Sequence, residues 1–131
     1  MSQTNLFAAV GRLLLAILFI LSGLGKLAAP EAMQGYIASV GLPLPMLSYL
    51  LAIVVEVCGG LLLLVGYQTR IASLALGAFT LVAAVFFHGN FADQNQMIHF
   101  LKSIAIIGGL LQVAAFGAGG LSLDARRLRT A

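Results

Sequence analysis

Charged side chains are scarce in this sequence. Only seven Lys and Arg and four Asp and Glu occur among 131 residues, which is 8% of the chain, against about 25% in an ordinary soluble domain. Hydrophobic residues make up 61%, and the mean hydropathy is +1.07. So few charges cannot form the polar shell of a soluble fold, and so apolar a chain is not disordered. The composition therefore indicates a membrane protein, with a length that suits one domain.

Cysteine and histidine are almost absent as well. The single cysteine, Cys58, excludes an internal disulfide and a C-x-x-C pair. Two histidines could reach one haem, but turn or pocket roles are commoner for such residues, so we expect neither haem nor a metal site. Phosphate-binding glycine motifs are missing, and no basic stripe is interleaved with aromatic residues, which argues against nucleic acid as a partner.

Four apolar stretches are long enough to cross a bilayer, which requires about 20 residues. They run over about 7–28, 47–66, 71–87 and 97–117. Backbone groups must be satisfied internally in lipid, and these runs do not alternate as barrel strands do. They therefore predict an all-α, integral membrane four-helix bundle. We expect residues 1–124 to form this transmembrane domain and residues 125–131 a basic cytoplasmic tail.

The segment between the first two spans, PEAMQGYIASVGLPLPM over residues 30–46, is too short to cross the membrane. It is also too apolar for a solvated loop, and its apolar residues recur at helical spacing. Two interpretations fit this pattern. One is a short interfacial helix or re-entrant element, and the other is a loop packed on the bundle.

Arginine is distributed unevenly between the two sides of the predicted bundle. The side that holds both termini carries five arginines, which are Arg12, Arg70, Arg126, Arg127 and Arg129. The opposite side holds only Lys26 and Lys102, both within helix ends. Because cytoplasmic loops are enriched in Lys and Arg, we expect both termini in the cytoplasm and these arginines to act as topology anchors.

Glu56 is the most informative polar residue, because it lies near the middle of the second span. An ionisable side chain there costs about 2.5–3.5 kcal/mol on insertion scales, so it must face the bundle and find a partner or stay protonated. Lys26 and Lys102 both enter from the outer side and are the candidate partners. The sequence does not decide between them.

Several polar residues besides Glu56 fall in the same outer half of the bundle. Together they form a candidate site of six residues, Lys26, Glu56, His88, Asn90, His99 and Lys102. A pocket of this kind suits a ligand with an apolar body and a few hydrogen-bonding oxygens, such as a quinone. The alternative is a buried ion pair that only stabilises helix packing, with the histidines in a solvated turn.

Four segments carry a family resemblance through their order: GRLLLAILFILSGLGKL, VEVCGGLLLLVGYQTR, FFHGNF and HFLKSIAIIGGLL. In this order and spacing the chain resembles the DoxX-like family of small bacterial inner-membrane proteins. The resemblance implies a four-helix bundle in the inner membrane. It also implies quinone-coupled redox chemistry, because the family is named for a subunit of a thiosulfate:quinone oxidoreductase. Ser103 departs from the family, in which Asn commonly follows the lysine.

Three functions remain open at this level. The leading hypothesis is a quinone-binding subunit or accessory protein of a membrane redox system, which would need a redox partner protein because the chain has no evident electron carrier. The second is a non-catalytic scaffold or lipid-binding protein, which could form a homo-oligomer through its glycine-rich faces. The third is a small-molecule permease assembled as an oligomer. Whether the protein is an enzyme is not decided by its sequence.

Overall fold

The computed structural model describes residues 3–130, with side chains for residues 3–127. The described chain is helical and contains no strand. Its helices are α1 (Gln3–Leu27), α2 (Pro30–Ser39), α3 (Pro45–Val65), α4 (Thr69–Phe87), α5 (Gln94–Phe116) and α6 (Leu123–Thr130). The predicted all-α class is therefore confirmed.

Four of these helices, α1, α3, α4 and α5, are long and apolar enough to cross a membrane. They match the four predicted spans, and the largest difference at any boundary is at the start of α1, which begins at Gln3 rather than near residue 7. The helices begin before the apolar runs, because polar residues can form the first turn of a helix when its free N–H groups are capped. Asp93 provides such a cap for α5, since its side chain accepts a hydrogen bond from the Asn95 N–H at 2.9 Å.

The segment after α1 forms a helix rather than a loop. Pro30 and Pro45 begin α2 and α3, where a missing N–H costs nothing. The helix α2 packs mainly on α3, buries Ile37, and places the Tyr36 ring 5.0 Å from that of Phe87. Its depth in a bilayer stays a prediction.

The closest helix packing is between α1 and α3, at positions without a side chain. A Cβ atom on Gly60 would lie 2.7 Å from Cγ1 of Ile20, and one on Gly23 would lie 2.6 Å from Cγ2 of Val57. Both distances are shorter than real contacts permit, so glycine is what allows these backbones to approach. On the other side of α3, Gly59 has the same relation to Leu76 of α4.

The last span is packed less completely than the other three. Among the described residues of α5 only Leu110 is buried, and it joins a core of Ala16, Phe19, Leu63 and Leu76. Helix α5 packs along α4 and contacts α1 little. The incomplete packing of α5 leaves space beside this core, where Phe19 and Ile106 line a cavity.

The connectivity defines two ends of the bundle. The terminal end contains residues 66–68 between α3 and α4, residues 117–122, and α6; Asp124 of α6 bonds there to Gln68. The distal end contains α2 and the links 40–44 and 88–93. Each end holds a charged side chain of α1, Arg12 at the terminal end and Lys26 at the distal end.

Candidate functional site

An ion pair joins α1 to α3 in the distal half of the bundle. Nζ of Lys26 lies 2.6 Å from Oε1 of Glu56, and the side chains are 18% and 2% exposed, respectively. The same Nζ donates to Oγ of Ser22 at 3.1 Å, one helical turn earlier. The hydroxyl of Tyr49 donates to the carbonyl oxygen of Lys26 at 2.8 Å, which ties the end of α1 to α3. Of the two lysines that the sequence offered as partners, Glu56 pairs with Lys26.

The second oxygen of the Glu56 carboxyl has a different environment. Oε2 is buried and has no hydrogen-bond partner among the described residues. A buried polar atom left without a partner costs about 1–3 kcal/mol, and more when it is charged. The ion pair therefore satisfies only half of the carboxylate.

A cavity of about 770 Å³ borders this ion pair. It lies among α1, α2, α3, α4 and α5 and has mostly apolar walls that include the rings of Phe19, Tyr36, Phe79 and Phe87. Polar side chains also reach it: Ser22, Lys26, Ser48, Glu56, Thr80, His88, His99 and Ser103. Ligand pockets typically enclose about 300–1,000 Å³, with apolar walls and a few convergent polar groups.

The two histidines stack on each other at this cavity. Their ring centroids are 5.1 Å apart and their planes are inclined by 26°. His88 follows the last residue of α4 and His99 lies in α5, so the pair joins these two helices. Burial and the neighbouring charge of His99 lower the pKa of His88 from 6.5. In its neutral form the His88 ring can donate one hydrogen bond and accept another.

Two of the six predicted site residues do not line the cavity. Lys102 is exposed, because the cavity-facing residues of α5 are His99, Ser103 and Ile106 and position 102 is rotated by about 100° from 103. Asn90 instead shapes the α4–α5 turn. Its N–H donates to Oε1 of Gln96 at 3.0 Å, and its Oδ1 accepts from the Ala92 N–H.

Some residues at the site were not found from the sequence. Tyr49 lies seven positions before Glu56, a spacing that returns to the same helix face after about two turns and so provided a usable signal. Phe79 and Thr80 gave none, because an aromatic or hydroxyl residue inside an apolar span is common. The hydroxyl of Thr80 donates to the carbonyl oxygen of Leu76 at 2.7 Å and is satisfied within its own helix.

The terminal end buries a second cation, Arg12. Arg12 is only 3% exposed. Its guanidinium donates from Nε to the carbonyl oxygen of Ala118 at 2.9 Å and from Nη1 to the carbonyl oxygen of Leu63 at 2.7 Å. Further bonds reach the carbonyl oxygens of Leu64 at 3.4 Å and Leu121 at 2.5 Å. Arg12 thus holds the end of α3 and the chain after α5 together. Spacing along α1 alone did not reveal this, because the acceptors come from distant parts of the sequence.

Asp124 completes the terminal end by capping α4. Its Oδ1 accepts from the N–H of Gln68 at 2.9 Å and its Oδ2 from that of Thr69 at 3.0 Å, where the first N–H groups of the helix would otherwise lack partners. Burial raises the pKa of Asp124. The hydrogen bonds from Thr69 and Gln68 and the charge of Arg127 lower it by a larger amount, so the pKa lies below 3.8.

The other predicted anchor residues also belong to the terminal end. Arg70, Arg126 and Arg127 are exposed, and the guanidinium of Arg127 lies 5.8 Å from the centre of the Tyr67 ring. The side chain of Arg129 lies outside the described residues.

Comparison with known proteins identifies the family. The DoxX family model matches residues 7–89. The chain belongs to the DoxX family. It is 41% identical to the inner membrane protein YqjF of Escherichia coli over 88% of this chain and 87% of that protein. It is 34% identical to the inner membrane protein YphA of Escherichia coli over 89% of this chain and 87% of that protein.

A more distant relative is longer than this chain. The Surfeit locus protein 4 homolog of Drosophila melanogaster is 27% identical over 92% of this DoxX-family chain but only 40% of its own length. No solved structure matches the chain. The DoxX match includes Lys26, Glu56 and His88, whereas His99 and Ser103 of α5 lie beyond residue 89. The ion pair therefore lies within the family region, and part of the cavity wall does not.

Proposed function

We propose that this DoxX-family protein binds a quinone in the distal cavity and acts as the quinone-binding subunit or accessory protein of a membrane redox system. The observation that carries the proposal is the Lys26–Glu56 pair, in which Glu56 is buried and has one unsatisfied oxygen, on the wall of an apolar cavity of about 770 Å³. A pair that served packing alone would need no cavity beside it.

The chemistry of the cavity wall suits a quinone headgroup. Lys26 has three N–H donors, of which Glu56 and Ser22 accept two, and the third can bind a quinone oxygen. Aromatic rings such as Phe19 and Phe87 offer faces for the flat ring. The apolar remainder of the wall suits an isoprenoid tail. The redox centre itself would belong to a partner protein, and this chain would supply binding and orientation.

The charge distribution supports a location in the bacterial inner membrane with both termini in the cytoplasm. Arg12, Arg70, Arg126 and Arg127 all lie at the terminal end, and cytoplasmic ends are enriched in such residues. Two relatives are named inner membrane proteins. A fluorescent protein fused after residue 131 should therefore fluoresce, and alkaline phosphatase fused there should be inactive; the reverse result would place the termini outside.

A cavity-blocking variant tests quinone binding directly. Ser103 lines the cavity, so Ser103→Phe should fill part of it. Ala105 is exposed on the same helix, and Ala105→Phe is the matched control. We expect purified protein to bind decylubiquinone in a calorimetric titration, with at least tenfold weaker binding by Ser103→Phe and unchanged binding by Ala105→Phe. Equal binding by both variants would place the quinone elsewhere or leave it nonspecific.

Small molecules released from the gently purified protein separate the competing functions. A quinone detected by mass spectrometry supports the proposal. If only phospholipid is released and decylubiquinone does not bind, a scaffold or lipid-binding role replaces it. Solute flux in proteoliposomes that is lost in Ser103→Phe, in the absence of quinone binding, would favour an oligomeric permease.

A further inference from the structure

We propose that the distal cavity prefers a ligand that donates a hydroxyl hydrogen bond to Glu56, and so binds a quinol more tightly than the corresponding quinone. This inference rests on the proposed function and adds which redox form the site selects. It is carried by one atom, Oε2 of Glu56, which is buried, lacks a partner among the described residues, and belongs to a side chain that lines the cavity.

The Glu56 carboxylate needs a donor that the neighbouring protein groups do not supply. Lys26 donates to Oε1 at 2.6 Å, so this oxygen already has a donor, whereas Oε2 has none among the described residues. The nearby hydroxyls of Ser48, Tyr49 and Thr80 already donate to backbone carbonyl oxygens. A hydroxyl on a ligand in the cavity can supply the donor that Oε2 lacks.

The geometry permits a ligand to reach this oxygen. Oε2 is covered by protein, but the terminal torsion of a Glu side chain is broad and roughly two-fold, so rotation of the carboxylate costs little. Glu56 borders the cavity, so the proposal requires only a partial rotation about this torsion that brings a carboxylate oxygen to the cavity side. Lys26 is partly exposed on the same wall and remains within reach of the carboxylate.

The two redox forms of a quinone differ in what they offer at this point. A quinol oxygen can accept a hydrogen bond from Lys26 and donate its own proton to Glu56, so that both groups are satisfied. A quinone oxygen can only accept, and beside the carboxylate it places acceptor against acceptor. A hydrogen bond to a charged group corresponds to a preference of roughly tenfold or more. By linkage, a bound quinone would then be easier to reduce than a free one.

The test compares matched ligands on the wild-type protein. Binding of decylubiquinol, kept reduced under anaerobic conditions, is measured beside that of decylubiquinone. A redox-inert pair, 4-hexylphenol and 4-hexylanisole, repeats the comparison with one hydroxyl present or methylated. We expect the hydroxyl form of each pair to bind about tenfold more tightly.

Two variants locate the preference. In Glu56→Gln the side-chain amide can donate as well as accept, so the preference should fall to within about threefold. Lys102→Gln changes a charge away from the cavity wall and should retain the wild-type preference.

The possible failures are distinguishable. If the oxidised and methylated forms bind as tightly as the hydroxyl forms or more tightly, the inference is overturned while quinone binding stands. If the preference persists in Glu56→Gln, the donor is received elsewhere and the assignment to Glu56 is wrong. If none of the four ligands binds the wild-type protein, the inference and the proposed function fail together.

Discussion

The two ends of the bundle each satisfy a cation from α1, and they do so in different ways. At the terminal end Arg12 donates to backbone carbonyl oxygens, among them those of Leu63 and Ala118. At the distal end Lys26 donates to the carboxylate of Glu56, one oxygen of which has no partner, and a cavity lies beside the pair. The first cation is surrounded by protein acceptors, whereas the second faces an incomplete site.

This difference distinguishes a charged residue that only holds chain segments together from one that can take part in binding or proton exchange. Backbone carbonyl oxygens cannot titrate or exchange a proton, so bonds to them can do no more than hold chain segments together. A carboxylate can titrate, rotate and accept a new donor. A buried charge in a membrane protein is by default a hypothesis about function, and the identity of its partner decides how strong that hypothesis is.

Removing the terminal cation should have the largest effect on stability. Two of the Arg12 bonds are fully buried, and each acceptor left without a donor costs about 1–3 kcal/mol. We expect Arg12→Met to lower the free energy of unfolding in mixed micelles by about 4 kcal/mol. Arg12→Lys should recover only part of this loss, because an ammonium group cannot reproduce the planar set of donors.

The contrast between the two ends would be wrong if Arg12→Met were as stable as the wild type. It would also be wrong if the folded fraction of Arg12→Met lost ligand binding at the distal cavity as Ser103→Phe is expected to. Either result would mean that the terminal end is more than a structural clamp.

At the distal end, removing one partner should cost more than removing both. Lys26→Met leaves the Glu56 carboxyl buried without its cation, and removing one partner of such a pair costs about 3–5 kcal/mol. Replacing both groups with apolar residues, as in Lys26→Met with Glu56→Leu, is often neutral or stabilising. We therefore expect about 3 kcal/mol of destabilisation for the single variant and less than about 1 kcal/mol for the double variant. A double variant as unstable as the single one would show that the pair is needed for the fold.

The smallest expected difference is in the response to pH. Asp124 has a lowered pKa, so its contribution is complete above 3.8 and is lost as the pH falls through its folded-state value. Losing this helix cap costs about 1 kcal/mol. His88 also has a lowered pKa, but as a base it favours the neutral form, so its contribution is present above 6.5 and declines as the pH falls below that value.

Unfolding free energies measured from about pH 3 to 8 separate these two contributions. Asp124→Ala should remove the dependence in the acidic range, and His88→Gln should remove the dependence below 6.5. An acidic dependence that survives Asp124→Ala would assign it to another carboxyl group.

The spans could be predicted because their cause is local. Apolar runs of sufficient length must become helices in lipid, and all four did so near the expected residues. The importance of Glu56 could be predicted for a similar reason, since a mid-span carboxyl is costly wherever its partner lies. Ser22 and Lys26 are four residues apart, a spacing that puts them on one helix face, and they are bonded.

The rest of the site could not be predicted, because it depends on how each helix is rotated about its axis. One residue step separates Ser103, which lines the cavity, from Lys102, which is exposed. Apolar residues surround α5 on all sides, so its sequence carries no strong signal of which face is turned inward. The choice between Lys26 and Lys102 as the partner of Glu56 depended on that rotation.

Hydropathy and residue type were thus enough to predict that this protein lies in a lipid bilayer and how many spans it has. They also identified Glu56 as the carboxyl group that needs a partner. Only the packing of the helices determined three further features. Lys26 pairs with that carboxyl, the two histidines stack at the same cavity, and Arg12 donates to distant carbonyl oxygens. The free-energy cost of a polar group in lipid depends on one residue and its own helix, so the sequence shows it. The partner that offsets this cost comes from another part of the chain, brought close by helix contacts at glycine residues, so only the tertiary structure shows it.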